Sequence, residues 1–263
     1  MKPPRRAFQL YCLSSLRTGV FVLREVFKEY RFLRDFQIEK AEELQAARQR
    51  GRMSSGELMR YIRRRDRDGM LEVDASHVHS GWMDLLPRMF PESRYLLTVR
   101  DCYSWLDATL NQLLEVAKEP RERRRMAAVS AGRGSTLLDV FRSPEALAGR
   151  FELVADRYLS LWAEVNRGLL AGLPAGRSLV VPVDGVAALL PRVPEIARLI
   201  GVPPETLSTR FPSLPAPVRH GVLARVDPAL VEAARRRHCE ELMARFFPGR
   251  ALAGFLAAAG RAG

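Results

Sequence analysis

Residues 94–118 read RYLLTVRDCYSWLDATLNQLLEVAK. The first six, RYLLTV, form a nearly unbroken apolar run with β-formers, as in a strand covered on both faces. Residues 103–118 repeat their apolar positions at helical spacing and form a strong amphipathic helix. A strand buried on both sides and followed directly by a helix belongs to a parallel sheet with helices on each face. The charged pair between them, Arg100-Asp101, then falls at the carboxyl end of a strand, where open α/β sheets bind their ligands.

The rest of the chain repeats this alternation. A strand over about 7–13 is followed by a helix over about 20–28, with Gly19 in the turn. A short extended piece, YRFL (30–33), precedes a polar, alanine-rich helix at 38–49. Ser54 and Glu57 have capping-box spacing and open a helix running to about Arg65. MLEVD (70–74) predicts a strand that ends in carboxylates, and 80–89 a helix. A charged, glycine-containing stretch at 119–134 reads as a loop or mobile helix, and a long helical pattern fills 144–170. SLVVPV (178–183) is a second buried strand, followed by a helix at 189–200. A proline-rich surface loop (203–222) leads to C-terminal helices at about 227–246 and 250–260. The expected fold is one α/β, P-loop-like, three-layer domain over 1–263, with a central four- or five-stranded parallel sheet flanked by helices.

The 263 residues are 47% hydrophobic, enough for a full core. No run reaches the roughly 20 apolar residues of a membrane span. The apolar run near the N-terminus is shorter than a signal-peptide core, so the chain reads as cytoplasmic. Cys12, Cys102 and Cys239 have neither disulfide-framework nor zinc-site spacing. The net charge of +12 invites a nucleic-acid partner, but lysine occurs at only four positions and the rest of the basic residues are arginine. The arginine runs at 63–67, 121–125 and 235–237 are not interleaved with aromatics as single-strand binding requires. They read as solvated faces or as contacts to a small anion.

FPESRYLLTVRDCYSWLDATLN (90–111) resembles the 3′-phosphate-binding segment of sulfotransferases that use 3′-phosphoadenosine 5′-phosphosulfate, in the wording of a bacterial branch. Leu16-Arg17-Thr18-Gly19-Val20-Phe21-Val22-Leu23 resembles that family's 5′-phosphosulfate loop. LEVDASH (71–77), 179–202 and HCEELMARFFP (238–248) extend the likeness through most of the chain. The resemblance implies a sulfuryl transferase with that nucleotide as co-substrate and a hydroxyl acceptor that is a small molecule, a glycan or lipid-like. It implies no metal, since arginines do the neutralising. Arg17 and the loop Thr18, Gly19, Val20, Phe21 and Val22 would hold the phosphosulfate, Arg100 the 3′-phosphate, and Arg219 would close over the nucleotide. Glu29 matches the position of an acidic base, with a helix-end ion pair as the alternative. His77 and His79 are the histidine alternatives, and Asp74, with Glu72 on the same strand face, either meets the acceptor or pairs with an arginine. Trp82 and Trp105 read as core or cleft-wall residues.

The physical chemistry of these segments agrees with the resemblance. A strand-to-helix turn offers backbone N–H groups to an anion, Gly19 permits close approach, and Arg17 adds a planar fork of donors. Three positions depart from the family pattern. Val20 and Phe21 replace hydroxyl residues of the loop, and Ala108 stands where the family has the serine eight residues after the arginine. They leave open a second reading, a binding or regulatory protein on the same fold. A P-loop kinase is disfavoured because the GK[ST] signature is absent.

Overall fold

The structure is a computed structural model that describes residues 6–14, 21–119, 143–183, 186–210 and 220–260. Contacts gather the chain into two compact units, one from Met1–Val99 and Val165–Ser213 and the other from Arg100–Glu164 and Leu214–Gly263.

The first unit is built on a five-stranded parallel sheet, β1 (Leu10–Ser14), β2 (Phe32–Arg34), β3 (Val73–Ala75), β4 (Arg94–Arg100) and β5 (Ser178–Val183), in the order β2-β3-β1-β4-β5. The fold class expected from the sequence is therefore the one observed. Every residue of β1 is buried, and so are the five central residues of β4, which accounts for their continuous apolar runs. The pairing of β1 with β3 sets Leu10 opposite Val73 and Cys12 opposite Ala75. Its pairing with β4 sets Leu10 opposite Arg94 and Ser14 opposite Thr98. The chain first moves outward to β2 and β3, then crosses β1 to reach β4 and β5, so the order reverses at β1 and β4. That is the point where such sheets open a crevice beyond their carboxyl ends.

The helices of this unit follow their local sequence. Helix α1 (Phe21–Val26) buries Val22, Leu23 and Val26. Helix α2 (Ile38–Gln49) fills the predicted span, and α3 (Ser55–Gly69) opens with the capping box read from the sequence. Ser54 Oγ accepts from the Glu57 amide at 3.2 Å, and Glu57 Oε2 accepts from the Ser54 amide at 2.9 Å. Helix α3 runs four residues beyond Arg65 to Gly69 and ends at Met70, which is left-handed at φ 46°. One face of α3 carries exposed Arg60, Arg63, Arg64 and Arg67, while Leu58, Ile62 and Arg65 are buried.

Several boundaries differ from the sequence reading, each for a local reason. The strand expected at 70–74 shrinks to Val73–Ala75 because Met70 caps α3. The helix expected at 80–89 becomes a 3₁₀ helix (His77–Trp82) and a short α4 (Leu86–Met89). The helix at 189–200 becomes a 3₁₀ helix (Val186–Arg192) followed by the α-helix Val193–Ile200. Pro191 and Pro194 donate no amide, so neither can sit in a helix interior without loss of a hydrogen bond.

The second unit contains α5 (Cys102–Val116), α6 (Pro144–Ala148), the N-terminal part of α7 (Phe151–Gly172), α9 (Pro228–His238), α10 (Glu240–Phe246) and α11 (Leu252–Gly260); α8 is Val193–Ile200. The long pattern at 144–170 breaks at Gly149, the C-cap of α6, and the pattern at 227–246 breaks at Cys239. Most of 119–134 and residues 211–219 of the proline-rich loop lie outside the described residues.

The core of the first unit joins Leu10 and Cys12 of β1, Val22, Leu23 and Val26 of α1, Leu96 of β4 and Ile196 of α8. Leu96 is wholly buried at its centre. Leu96→Ala should cost about 2–5 kcal/mol, from lost transfer energy plus the cavity, measured as a lower urea midpoint at unchanged slope.

Candidate functional site

The carboxyl ends of three neighbouring strands carry the residues of interest. β3 is followed at once by Ser76 and His77, β1 by residues 15–20, and β4 ends at Arg100. Arg17, Thr18, Gly19 and Val20 lie outside the described residues, as does the Phe21 side chain. Val22 is the second residue of α1, with its side chain 2% exposed in the core.

Arg100 is half-buried and belongs to the second unit. Its Nε donates to Ser104 Oγ at 2.8 Å, and its carbonyl accepts from Trp162 Nε1 at 3.1 Å. Ser104 in turn donates to Asp101, the N-cap of α5, whose carboxylate also accepts from the Ser104 amide at 3.0 Å. Arg250 Nη2 stands 3.7 Å from Asp101 Oδ2. Ser104 was not singled out in the sequence. It is the third residue of α5, four positions after Arg100 at the end of β4. Arg219 lies outside the described residues. Its neighbour His220 is fixed to α5, its amide donating to Asn111 Oδ1 at 2.6 Å and its Nε2 lying 2.6 Å from Glu115 Oε1. Trp82 and Trp105 are both buried, as expected of core residues.

Glu29 takes a different place from the one expected of a base. It is exposed, in the turn between α1 and β2. A crossover helix returns the chain to the start of the next parallel strand, so this turn precedes the amino end of β2, at the opposite edge from the carboxyl ends. The carboxylate at the carboxyl end of β2 is Asp35. Its amide donates to Ala75 O at 2.9 Å, and its Oδ1 accepts from Ser76 Oγ at 3.2 Å. His77 Nδ1 lies 3.7 Å from the same Oδ1, and His77 Nε2 lies 3.1 Å from Glu42 Oε1. The His77 side chain is 28% exposed, open enough to meet a solute. Burial of Asp35 works against its charge, but His77, Arg34 and Ser76 outweigh it and hold the carboxyl below its ordinary range. Among the described residues, no group of three His, Cys, Asp or Glu side chains has metal-binding geometry.

The two carboxylates read on β3 are committed to arginines. Asp74 is 8% exposed, and both its oxygens accept from Arg65, which is 4% exposed. His79, fully buried, brings Nε2 to 3.3 Å from Asp74 Oδ2 and packs edge-on against Tyr11. Asp74 thus takes the arginine pairing that was one of its two readings, and His79, with no exposed surface, sits in the interior beside it. Glu72 accepts from Arg31, through Nε at 2.7 Å and the backbone amide at 3.1 Å, at the amino side of the sheet.

No family model matches the chain, and no curated protein matches it. Among solved structures, the chain is similar to a sulfotransferase from Alicyclobacillus acidocaldarius, with 13% identity over 96% of this chain and 99% of that one and a TM-score of 0.48.

Burial resists ionisation of Asp74, but His79 and the Arg65 guanidinium prevail and hold its carboxyl far below the usual carboxylate range. A folded-state value below the unfolded one adds stability that is complete above the unfolded value, near pH 4, and fades as pH falls toward the folded one. Removing one partner of a buried pair leaves the other charge uncompensated. Asp74→Ala should therefore lose about 3–5 kcal/mol at neutral pH. It should also flatten the decline in stability below about pH 4, read by urea titration at several pH values.

Proposed function

We propose that this chain is a sulfotransferase that moves a sulfuryl group from 3′-phosphoadenosine 5′-phosphosulfate to the hydroxyl of a small-molecule, glycan or lipid-like acceptor. The observation that carries the reading is the strand order. The two segments with the sulfotransferase resemblance follow β1 and end β4, strands paired side by side at the reversal of the sheet. Neighbouring strands lie about 4.8 Å apart, and open α/β sheets bind ligands beyond their carboxyl ends.

In this reading the backbone of 18–22 and Arg17 hold the phosphosulfate, Arg100 binds the 3′-phosphate, and Arg219 closes over the nucleotide. The acceptor oxygen forms a bond to sulfur as the bond from sulfur to the bridging phosphate oxygen breaks, and adenosine 3′,5′-bisphosphate leaves. Arginines supply charge stabilisation where negative charge develops.

The acceptor proton goes to His77 rather than Glu29. His77 follows β3, the other neighbour of β1, whereas Glu29 precedes β2 at the far edge. Imidazole is the side chain that ordinarily titrates nearest neutrality, as a general base requires. Asp35 orients the ring and offsets the positive charge it gains, and the acceptor hydroxyl takes the place of Glu42 at Nε2.

Adenosine 3′,5′-bisphosphate should raise the thermal midpoint of the protein, and ATP should not. The shift should vanish in Arg100→Ala; a shift retained there removes the 3′-phosphate assignment, and no shift in the unaltered chain removes the donor. In a labelled-sulfate transfer assay, His77→Asn should lower kcat about 10²–10⁴-fold, the usual weight of a general base. Glu29→Gln should leave it unchanged, and the reverse pattern would return the role to Glu29.

A further inference from the structure

We propose that Arg65 is a positioning residue that acts through the Phe36 carbonyl to hold the Asp35 carboxylate at His77. The proposal rests on the reading of His77 as the base. It begins from a buried arginine whose ion pair accounts for only part of its bonding. Arg65 Nη1 and Nη2 bind the two oxygens of Asp74, and Nε and Nη2 also donate to Phe36 O at 3.1 and 2.9 Å. The guanidinium carbon lies 5.3 Å from the centre of the Phe36 ring and 5.7 Å from that of Trp82. One planar cation from α3 thus ties β3 to the turn after β2.

That turn is unusual. Asp35 and Gln37, on either side of Phe36, are both left-handed, with φ of 57° and 50°. Non-glycine residues keep such angles only where the surroundings over-determine them. The restraints here are explicit. The Asp35 amide is bound to Ala75 O, the Ile38 amide to Asp35 O at 3.2 Å, and Tyr61 Oη to Gln37 O at 3.4 Å. The Phe36 ring is seated over Gly69, where an added Cβ would come within 2.9 Å of a ring carbon. Arg65 fixes the middle of the turn, the peptide that sets the direction in which Asp35 leaves the sheet. A lysine would still neutralise Asp74, but an ammonium lacks the planar fork that serves a carboxylate and a carbonyl together.

The first test needs no substrate. In full-length Arg65→Lys, hydrogen exchange at the Asp35 and Ile38 amides should quicken at least about tenfold, while the sheet amides of Tyr11 and Leu96 keep their protection. Unchanged exchange at Asp35 and Ile38 in the folded variant overturns the proposal. If Arg65→Lys does not fold, the double variant Arg65→Gln/Asp74→Asn removes the fork without leaving a lone buried charge, and the same readout applies. The second test uses sulfuryl transfer. Arg65→Lys should lower kcat at least about tenfold with an unchanged KM for the donor, and the loss should disappear in an Asp35→Asn background. Equal losses in both backgrounds overturn transmission through Asp35. Faster exchange at Asp35 and Ile38 in a protein that transfers no sulfate supports the positioning role and removes the catalytic reading.

Discussion

Strand β1 is buried along its whole length and paired on both sides, and most of the first unit follows from that constraint. Its backbone groups bond to β3 and β4, and its side chains meet α1 on one face and Tyr95 and His79 near the other. A strand so enclosed has no room for reactive groups along its length. The strands on either side of β1 are followed by His77 and end at Arg100, respectively.

The buried Arg65–Asp74 ion pair stands within this largely apolar interior. Transfer of two charges from water costs several kcal/mol per ion, which the pair recovers only with good geometry and further hydrogen bonds. Both conditions are met, with two carboxylate oxygens and the Phe36 carbonyl around one guanidinium. The second bond to Phe36 is what distinguishes Arg65 from a simple counter-ion.

The parallel sheet was legible in the sequence because its decisive signals are local. The apolar runs of β1 and β4 exceed what a half-exposed strand carries, whereas the similar run of β5 was read as buried but belongs to an edge strand in which only Val181 and Val183 are buried, and the Ser54–Glu57 capping box marks the start of α3 to the residue. Segments at 80–89 and 189–200 were misread as single helices because apolar periodicity masks the local effect of proline. The candidate site was legible in part. Arg100 follows from a strand end, whereas Glu29 rested on its match to the family's acidic position, and β2 (Phe32–Arg34), a strand of only three residues, begins after it. The arginine pairing of Asp74 was one of its two readings, but its partner was not legible, since Arg65 reaches it across nine positions and a helix-to-strand turn.

Two sets of arginines in the first unit contrast with each other. Arg6, Arg31, Arg48, Arg65 and Arg192 each meet a carboxylate within hydrogen-bonding distance. Arg60, Arg63, Arg64 and Arg67 stand together in solvent along α3. The first group is neutralised locally and contributes little at a distance. The second leaves a positive field that reaches about a Debye length, near 8 Å at physiological ionic strength, into the surrounding water. Multiply charged anions diffusing past this side of the molecule therefore meet it more often than neutral solutes do, and that advantage shrinks as salt is added.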